Sequence, residues 1–542
     1  MSAVFDVAVI GSGFSGSLTA LLLRRLGRSV VLIEKGTHPR FAIGESSSPL
    51  ANLLLEGLCE RYGLSRIAPL AAWGSWQRRY PEVGCGLKRG FTFYGHRFGE
   101  PFPADPDRSD QLLVAASPND EVADTHWYRA DFDHFLAREA AEAGALHLDR
   151  THIDGLSWEG GIVALETSRA GRRRKLRSRL LVDASGPGGA LHRLLGLREA
   201  AFPNLPATQA LFTHFTDVRR LDAMGIFPSA QAPPYPVDDA AVHHVFEGGW
   251  IWVLRFNNGI TSAGVAATPR LARELSLEEG APAWDRLLDL LPTVRDQFAE
   301  ARTVLSFVHR PRLPFRSEAA GGPNWLLLPS AAAFVDPILS TGFPLTLLGI
   351  ERFVEAVETS WGRPSLTGRL VSDGERTLFE ADTAALLVSA LYANLRDFPV
   401  FAALTLLYFA AASFAEAARR LGRPELSGSF LAGDHPIFGP ELDVCCRMAL
   451  SADGRKRNAV LDGVRKAIEP LDVIGLGDPS RRNWYPVEAA DLLSAAHKLG
   501  ATAGEVRELM RRSGVVPAPE PKAGNIRTDM PVSCADRETS RN

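Results

Sequence analysis

The stretch that decides the fold is VAVIGSGFSGSLTALLLRRLGRSVVLIEK, residues 7–35. Residues 7–10 form a short apolar run that reads as a buried strand, and residues 30–33 form a second. Between them Leu18, Leu21, Leu22 and Leu26 recur at helical spacing. The turn joining strand to helix is Gly11-Ser12-Gly13-Phe14-Ser15-Gly16, a GxGxxG. Gly11 suits the tight turn, Gly13 lets backbone N–H groups approach a pyrophosphate, and Gly16 lets the helix pack close to the sheet. The helix N-terminus then faces the anion. Glu34 ends the second strand, where an acid accepts hydrogen bonds from a ribose diol. A glycine-rich turn alone is a weak signal. Strand, turn, helix and acid in this order point to a dinucleotide site.

Further blocks follow outward from this one. KGTHPRFAIGESSSP (residues 35–49) carries Lys35, Arg40, Glu45 and Ser46. LLVDASGPGGALHRLLG (residues 180–196) reads as a strand ending in Asp183, then small residues suited to a close approach to a cofactor. In WYRADFDHFLAREAAEAGA (residues 127–145), Arg129 opens a helix with Phe132, Phe135, Leu136 and Ala140 on one face. Arg129 is useful beside a pyrophosphate; the plainer reading is a solvated helix cap.

Taken together, GSGFSG, Glu34, Arg40, IGES (residues 43–46), Arg129 with Phe132 and Asp133, VDASG, GGWIWVL and FVDPILSTG resemble the FAD-dependent oxidoreductases of the aromatic-hydroxylase type, and within them the flavin-dependent halogenases. The resemblance implies an α/β fold: a split, Rossmann-like FAD-binding domain, an inserted β-rich substrate domain and a helical C-terminal region. Its implied boundaries are 1–200 for the first part of the FAD domain, including the Lys88 segment, 201–315 for the substrate sheet and 316–350 for the returning FAD segment. A helical region at 351–514 and a Pro-rich, polar, disordered tail at 515–542 complete the expectation. The cofactor set implied is FAD as FADH2, O2 and a halide ion. Gly11, Ser12, Gly13, Ser15, Gly16, Glu34, Lys35, Arg40, Glu45, Ser46, Arg129, Asp183, Asp336 and Gly342 are the residues expected at the cofactor.

CGLKRGFTFYGH (residues 85–96) places Lys88 in a Lys-x-Gly-x-x-Phe frame that the halogenases share. In the chemistry implied, a flavin hydroperoxide oxidises halide to hypohalous acid, which travels to the substrate, where the lysine hydrogen-bonds it or forms a haloamine. A desolvated ammonium is a directional donor and, with a lowered pKa, a nucleophile. The alternative reading of Lys88 is a loop lysine. FVDPILSTGF (residues 334–343) ends in Ser340-Thr341-Gly342, which opens a helix whose free N–H groups suit chloride or bromide. The same turn serves equally to stabilise a negative flavin ring. Trp250 and Trp252 fit the Trp-x-Trp of the family, with Leu254 for its isoleucine and Arg255 for its proline. With Phe93 and His243 they are expected to line the substrate pocket. Leu339 stands where tryptophan halogenases carry glutamate, which argues for a phenolic or pyrrolic substrate. Pro329-Ser330-Ala331 replaces the usual Gly-Asp-Ala, so Ser330 offers a hydroxyl and no charge. That fits a chain exchanging flavin with a separate NAD(P)H flavin reductase, and it also fits a flavin-fold scaffold without catalysis.

His243 and His244 are neighbours on one strand-like segment and must point to opposite faces. GRRRKLRSR (residues 171–179) reads as a solvated hairpin, with an acidic carrier protein as the partner it would attract. The most apolar run, residues 398–420, is expected to be a buried core helix, or one covering a ligand cavity, rather than a membrane span, with peripheral membrane contact as the lesser reading. VIGLGDPSRRNWYP (residues 473–486) is a loop able to pack back onto the pocket. Sixty Lys plus Arg against 63 Asp plus Glu leave no basic excess for nucleic acid. Cys59, Cys85, Cys445, Cys446 and Cys534 form no CxxC, so neither a metal site nor a disulfide framework is indicated, and a cytoplasmic location is expected. The expected function is halogenation of an electron-rich natural-product aromatic, free or carrier-bound. The alternative is an FAD-dependent monooxygenase or reductase acting on a hydrophobic substrate.

Overall fold

The computed structural model describes residues 4–103, 107–225, 232–451 and 457–515. The tail expected at 515–542 therefore lies, beyond Val515, outside the described residues. Two large sheets and a helical C-terminal layer make up the fold.

The first sheet runs in the order Gly321–Gly322, Trp325–Leu327, Arg172–Asp183, Val4–Ile10, Val30–Ile33, Leu146–Leu148. Val4–Ile10 pairs in parallel with Arg172–Asp183 on one side and Val30–Ile33 on the other, so Ile10 stands beside both Asp183 and Ile33. Residues 7–10 and 30–33 are wholly buried, as strands covered on both faces must be. The carboxyl ends of three strands thus converge on Gly11, Glu34 and Ala184, where open α/β sheets bind ligands. His152–Glu159 and Ile162–Arg169 extend the sheet, and Ile162–Arg169 with Arg172–Asp183 forms the hairpin that carries the exposed arginines Arg172, Arg173 and Arg174.

The second sheet runs Arg302–Thr303, Gln209–Thr216, Thr261–Ala267, Gly249–Arg255, Ala241–Phe246, Gly90–Gly95, Gln111–Ala115, Trp484–Tyr485. Its composition departs from the expected boundaries. Gly90–Gly95 pairs in parallel with Ala241–Phe246, and Trp484–Tyr485 pairs in parallel with Gln111–Ala115. The second sheet therefore takes strands from residues expected in the FAD domain and in the helical region. Parallel pairing requires a long crossover, so it leaves no mark in the local sequence.

Cys85–Lys88 and Asp124–Trp127 form a separate two-stranded ribbon beside the second sheet. The C-terminal layer includes Gly342–Ser360, Ser365–Ala393, Phe398–Arg420, Phe438–Leu450 and Arg457–Ile468. Phe398–Arg420 is, among the described residues, the helix long and apolar enough to cross a membrane, yet 67% of its most apolar window is buried inside the protein.

Candidate active site

A cavity of about 320 Å³ opens at the carboxyl edge of the first sheet. Its walls include Gly13, Ser15, Arg40, Glu45, Ser46, Arg129, Ser330, Asp336, Ser340, Thr341 and Gly342. Gly11 and Gly16 build the turn rather than line it. Gly11 holds φ +93°, a left-handed conformation natural to glycine, and a Cβ on Gly16 would stand 1.9 Å from the Gly11 carbonyl oxygen. Gly13 faces outward: a Cβ there would stand 3.5 Å from Asp133 Oδ2, which Arg129 holds, and 3.6 and 3.7 Å from the guanidinium groups of Arg129 and Arg40. A glycine turn with open N–H groups between two arginines fits a pyrophosphate dianion.

Glu34 accepts from the backbone N–H groups of Ser12 (2.9 Å) and Gly36 (2.8 Å). Burial raises its pKa, but these N–H groups and Arg40 outweigh it, and the carboxylate is held below its ordinary range. Arg129 is not a solvated cap. Its Nε and Nη2 donate to Asp133 at 2.7 and 2.8 Å and its Nη1 donates to the Gly44 carbonyl at 2.9 Å, which fixes the Glu45–Ser46 strand entry. The Ser330 hydroxyl is buried, lines the cavity and has no hydrogen-bond partner among the described residues. An orphaned hydroxyl at the position of the family's aspartate fits a polar group of the cofactor's chain.

Besides Gly11 and Gly16, four residues expected at the cofactor do not line the cavity: Ser12, Glu34, Lys35 and Asp183. Asp183 does not line the cavity; its carboxylate accepts from Ser185 N (2.8 Å), Ser185 Oγ (2.6 Å) and Leu191 N (2.7 Å). It shapes the loop Ala184-Ser185-Gly186, and that loop lines the cavity. Lys35 is exposed and outside the cavity, because the chain turns outward directly after Glu34.

At the far end of the same cavity lie His243, Trp250 and Trp252. Trp250 Nε1 donates to Tyr392 Oη (3.0 Å), which donates to Asp336 (2.8 Å). Burial raises the Asp336 carboxyl to about 7, against the hydrogen bonds it accepts from Tyr392 and Ile338 N. His243 stacks on Phe93 at 4.3 Å between centroids, with Nδ1 3.1 Å from the Thr92 carbonyl. Burial lowers its pKa to about 3, so the ring is neutral and unsuited to act as an acid near pH 7. His244 points to the other face, toward His96 (2.9 Å) and Gln297 (3.0 Å). Phe93 is buried behind His243 and lines neither cavity. The four residues expected around the substrate thus gather at or behind the first cavity.

Lys88 is fully buried. Its ammonium donates to Ser46 Oγ at 2.9 Å and to the Ser47 carbonyl, and lies 3.7 Å from the Phe91 ring centroid. Burial lowers its pKa to about 7, with the Asp124 charge opposing. Ser46 Oγ in turn accepts from Ser340 Oγ at 3.1 Å. A continuous polar chain therefore runs from the Ser340-Thr341-Gly342 turn, where Gly342–Ser360 begins without a side-chain cap, to the Lys88 ammonium.

Behind Lys88 lies a second cavity of about 240 Å³. Phe91, Asn52, Asp124, Tyr408, Phe409 and Arg420 are among its walls; of residues 473–486, expected to pack onto the pocket, Val473 and Ile474 line it, whereas Trp484 and Tyr485 pair in the second sheet. Lys88 stands in the partition: Ser46, its hydroxyl partner, lines the first cavity, while Phe91, its ring partner, lines the second. Sequence reasoning did not find Asn52, Asp124, Tyr408 or Arg420, which sit in no recognisable motif. Arg255, which replaces the family's proline, is away from both cavities; it ties Asp238 (3.1 Å) and the carbonyls of Val218 and Arg219.

The chain is 33% identical over 353 residues to tetracycline 7-halogenase of Kitasatospora aureofaciens, covering 63% of this chain and 61% of that protein. It is 31% identical over 352 residues to monodechloroaminopyrrolnitrin halogenase PrnC of Pseudomonas fluorescens, covering 64% of this chain and 60% of that protein. The chain thus matches less than two thirds of these curated relatives' length. Halogenase PltM, solved with phloroglucinol and FAD, shares the fold with a TM-score of 0.78 at 24% identity, over 88% of this chain and 99% of PltM. The sequence profile of the FAD dependent oxidoreductases matches residues 6–328, and the chain belongs to that family.

Proposed function

We propose that the protein is an FADH2-dependent halogenase that places chloride or bromide on an electron-rich, phenolic or pyrrolic natural-product aromatic. The observation that carries the reading is Lys88: a buried ammonium in the partition between a cavity suited to FAD and a second cavity walled by aromatic rings. Reduced FAD, with O2 and halide, supplies the oxidising power that turns halide into hypohalous acid. Ser340, Thr341 and Gly342 hold halide at the helix N-terminus. Ser46 passes hypohalous acid along its hydroxyl to Lys88, whose ammonium donates to the oxygen and leaves the halogen facing the second cavity. Protonation of that oxygen makes water the leaving group, so the halogen becomes more electrophilic at the place where the ring approaches.

The relatives' names include halogenases of pyrroles held on peptidyl-carrier proteins, so a carrier-bound substrate belongs to this reading, and the exposed arginines at 172–174 are the surface it offers an acidic carrier. A separate NAD(P)H flavin reductase supplies the reduced flavin, and a reducing cytoplasm suits the free buried thiols of Cys59, Cys85, Cys445 and Cys446. The second reading is an FAD-dependent monooxygenase or reductase of a hydrophobic substrate, favoured by the apolar wall that Phe398–Arg420 gives the second cavity. The test is to combine the protein with FAD, a reductase, NADH, O2 and either halide, and to follow the mass of an activated phenol. A halide-dependent mass gain supports halogenation. Oxygenated product independent of halide supports the second reading.

A further inference from the structure

The second cavity holds two buried polar atoms that make no hydrogen bond of ordinary geometry among the described residues, Asp124 Oδ2 and Asn52 Nδ2, although the Asn52 amide stands close enough to Asp124 to act on it as a weak donor. Asp124 is 5% exposed and Asn52 3%. One is an acceptor and the other a donor. Asn52 is held from behind by Ser47 Oγ, which lies 2.7 Å from its Oδ1 and 2.8 Å from the Thr125 carbonyl, and its amide acts as a donor toward Asp124. Ser47 also gives its carbonyl to Lys88. Asp124 is the residue directly opposite Lys88 in the two-stranded ribbon, so both side chains leave the same face. They nevertheless form no ion pair within 4.0 Å. Buried polar groups are ordinarily satisfied, and these two hold each other only weakly, which leaves both able to turn to a ligand beside the Lys88 ammonium.

We propose that Asp124 is the proton acceptor for the substrate: it takes the proton of the ring O–H or N–H that activates the aromatic, while Asn52 Nδ2 donates to the same heteroatom. This rests on the halogenase reading. The heteroatom's proton passes to the Asp124 carboxylate as the ring carbon attacks the halogen of hypohalous acid. The carbon–halogen bond forms and the oxygen–halogen bond breaks. The departing oxygen takes a proton from the Lys88 ammonium and leaves as water. The Lys88 amine then removes the proton from the halogenated carbon, the ring regains aromaticity, and the heteroatom recovers its proton from Asp124. Both residues end as they began.

The groups facing Asp124 are Lys88 from the neighbouring strand, Asn52 from Pro49–Tyr62, and Tyr408, Glu416 and Arg420 from Phe398–Arg420. Burial raises the Asp124 carboxyl well above its ordinary range and Glu416 adds to this, while Lys88, Arg420 and Asn52 oppose. A carboxylate made more basic in this way accepts a phenolic proton more readily than an exposed one.

The test uses the full chain with FAD, reductase, NADH, O2 and bromide. The probes are a small phenol, its O-methyl ether, and a cyclic diketone that traps free hypohalous acid. Asp124→Asn is expected to lower bromination of the phenol by about 10²-fold, within the usual span for a general base. Diketone trapping should stay at the wild-type level. The deficit should shrink as pH rises past the phenol's own ionisation, since a phenolate needs no acceptor. In the wild-type protein the methyl ether, with no proton to give, should fall behind the phenol by a comparable factor; this comparison needs no variant. Wild-type rates from Asp124→Asn on the neutral phenol, or equal wild-type rates on phenol and ether, would overturn the assignment. Absence of both trapped halogen and brominated phenol in the wild-type protein would instead overturn the halogenase reading itself.

Discussion

The two cavities are made in opposite ways. The first takes its shape from runs that are nearly continuous in the chain: the glycine turn, the Arg40–Ser46 stretch and the Pro329–Phe343 stretch. The turn that borders it is set by local backbone conformation, as at Gly11 with φ +93°. The second takes one short run, residues 114–118, and otherwise side chains from distant places, among them Asn52, Phe91, Asp124, Tyr408, Arg420 and Met510. No short segment contains it. A cofactor of constant shape is met by constant backbone, whereas a substrate site is assembled by packing and so is free to vary with the residues that wall it.

The largest break in this comparison is at the partition. Lys88→Ala should lower halogenation by about 10³-fold or more while FAD affinity and trapped hypohalous acid remain, as read by product mass and flavin titration. Damage confined to the first cavity comes next. In Gly16→Ala the new methyl meets the Gly11 carbonyl at 1.9 Å, so FAD affinity should fall about tenfold to hundredfold with a lowered Tm. The pH dependence sharpens the role of the partition. Burial places the Lys88 pKa near 7, and the donating form is the ammonium, so halogenation should decline about tenfold per pH unit above that value. Halide-independent oxidation of reduced flavin, measured in parallel, should not follow the same limb. The smallest effect on activity belongs to a residue outside both cavities. Arg255→Leu should cost about 1–3 kcal/mol of stability in denaturant titrations, because buried Asp238 loses its guanidinium partner and keeps the Asp222 N–H, with kcat unchanged.

The same contrast governs what the sequence discloses. The strand–GSGFSG–helix–strand unit is legible because every part is local, and it forms as read: Val4–Ile10, Phe14–Arg25, Val30–Ile33. The alternation that sends His243 and His244 to opposite faces is legible for the same reason. Lys88 is recognised through its Lys-x-Gly frame and is found buried at a junction, which its glycine and aromatic neighbours make feasible. Asp183 misleads because a strand-end acid reads alike whether it meets a ligand or, as here, closes its own loop through Ser185 and Leu191. The placement of Gly90–Gly95 in the second sheet depends on pairing Phe91 with Ala241, a contact that neither segment announces. Asp124 and Asn52 acquire meaning only from what surrounds them.

The short strand Trp484–Tyr485, which completes the edge of the second sheet beside Leu113 and Val114, has a consequence for synthesis. The last strand of the first sheet, Trp325–Leu327, leaves the ribosome far earlier. At about 5–20 residues per second the interval is on the order of ten to thirty seconds. The nascent chain can close its nucleotide-binding sheet, and gain the stabilisation of FAD by mass action, while the outer edge of Gln111–Ala115 is still without its neighbour. Flavin supply during translation should therefore govern the yield of soluble protein more strongly than flavin added after the chain is complete.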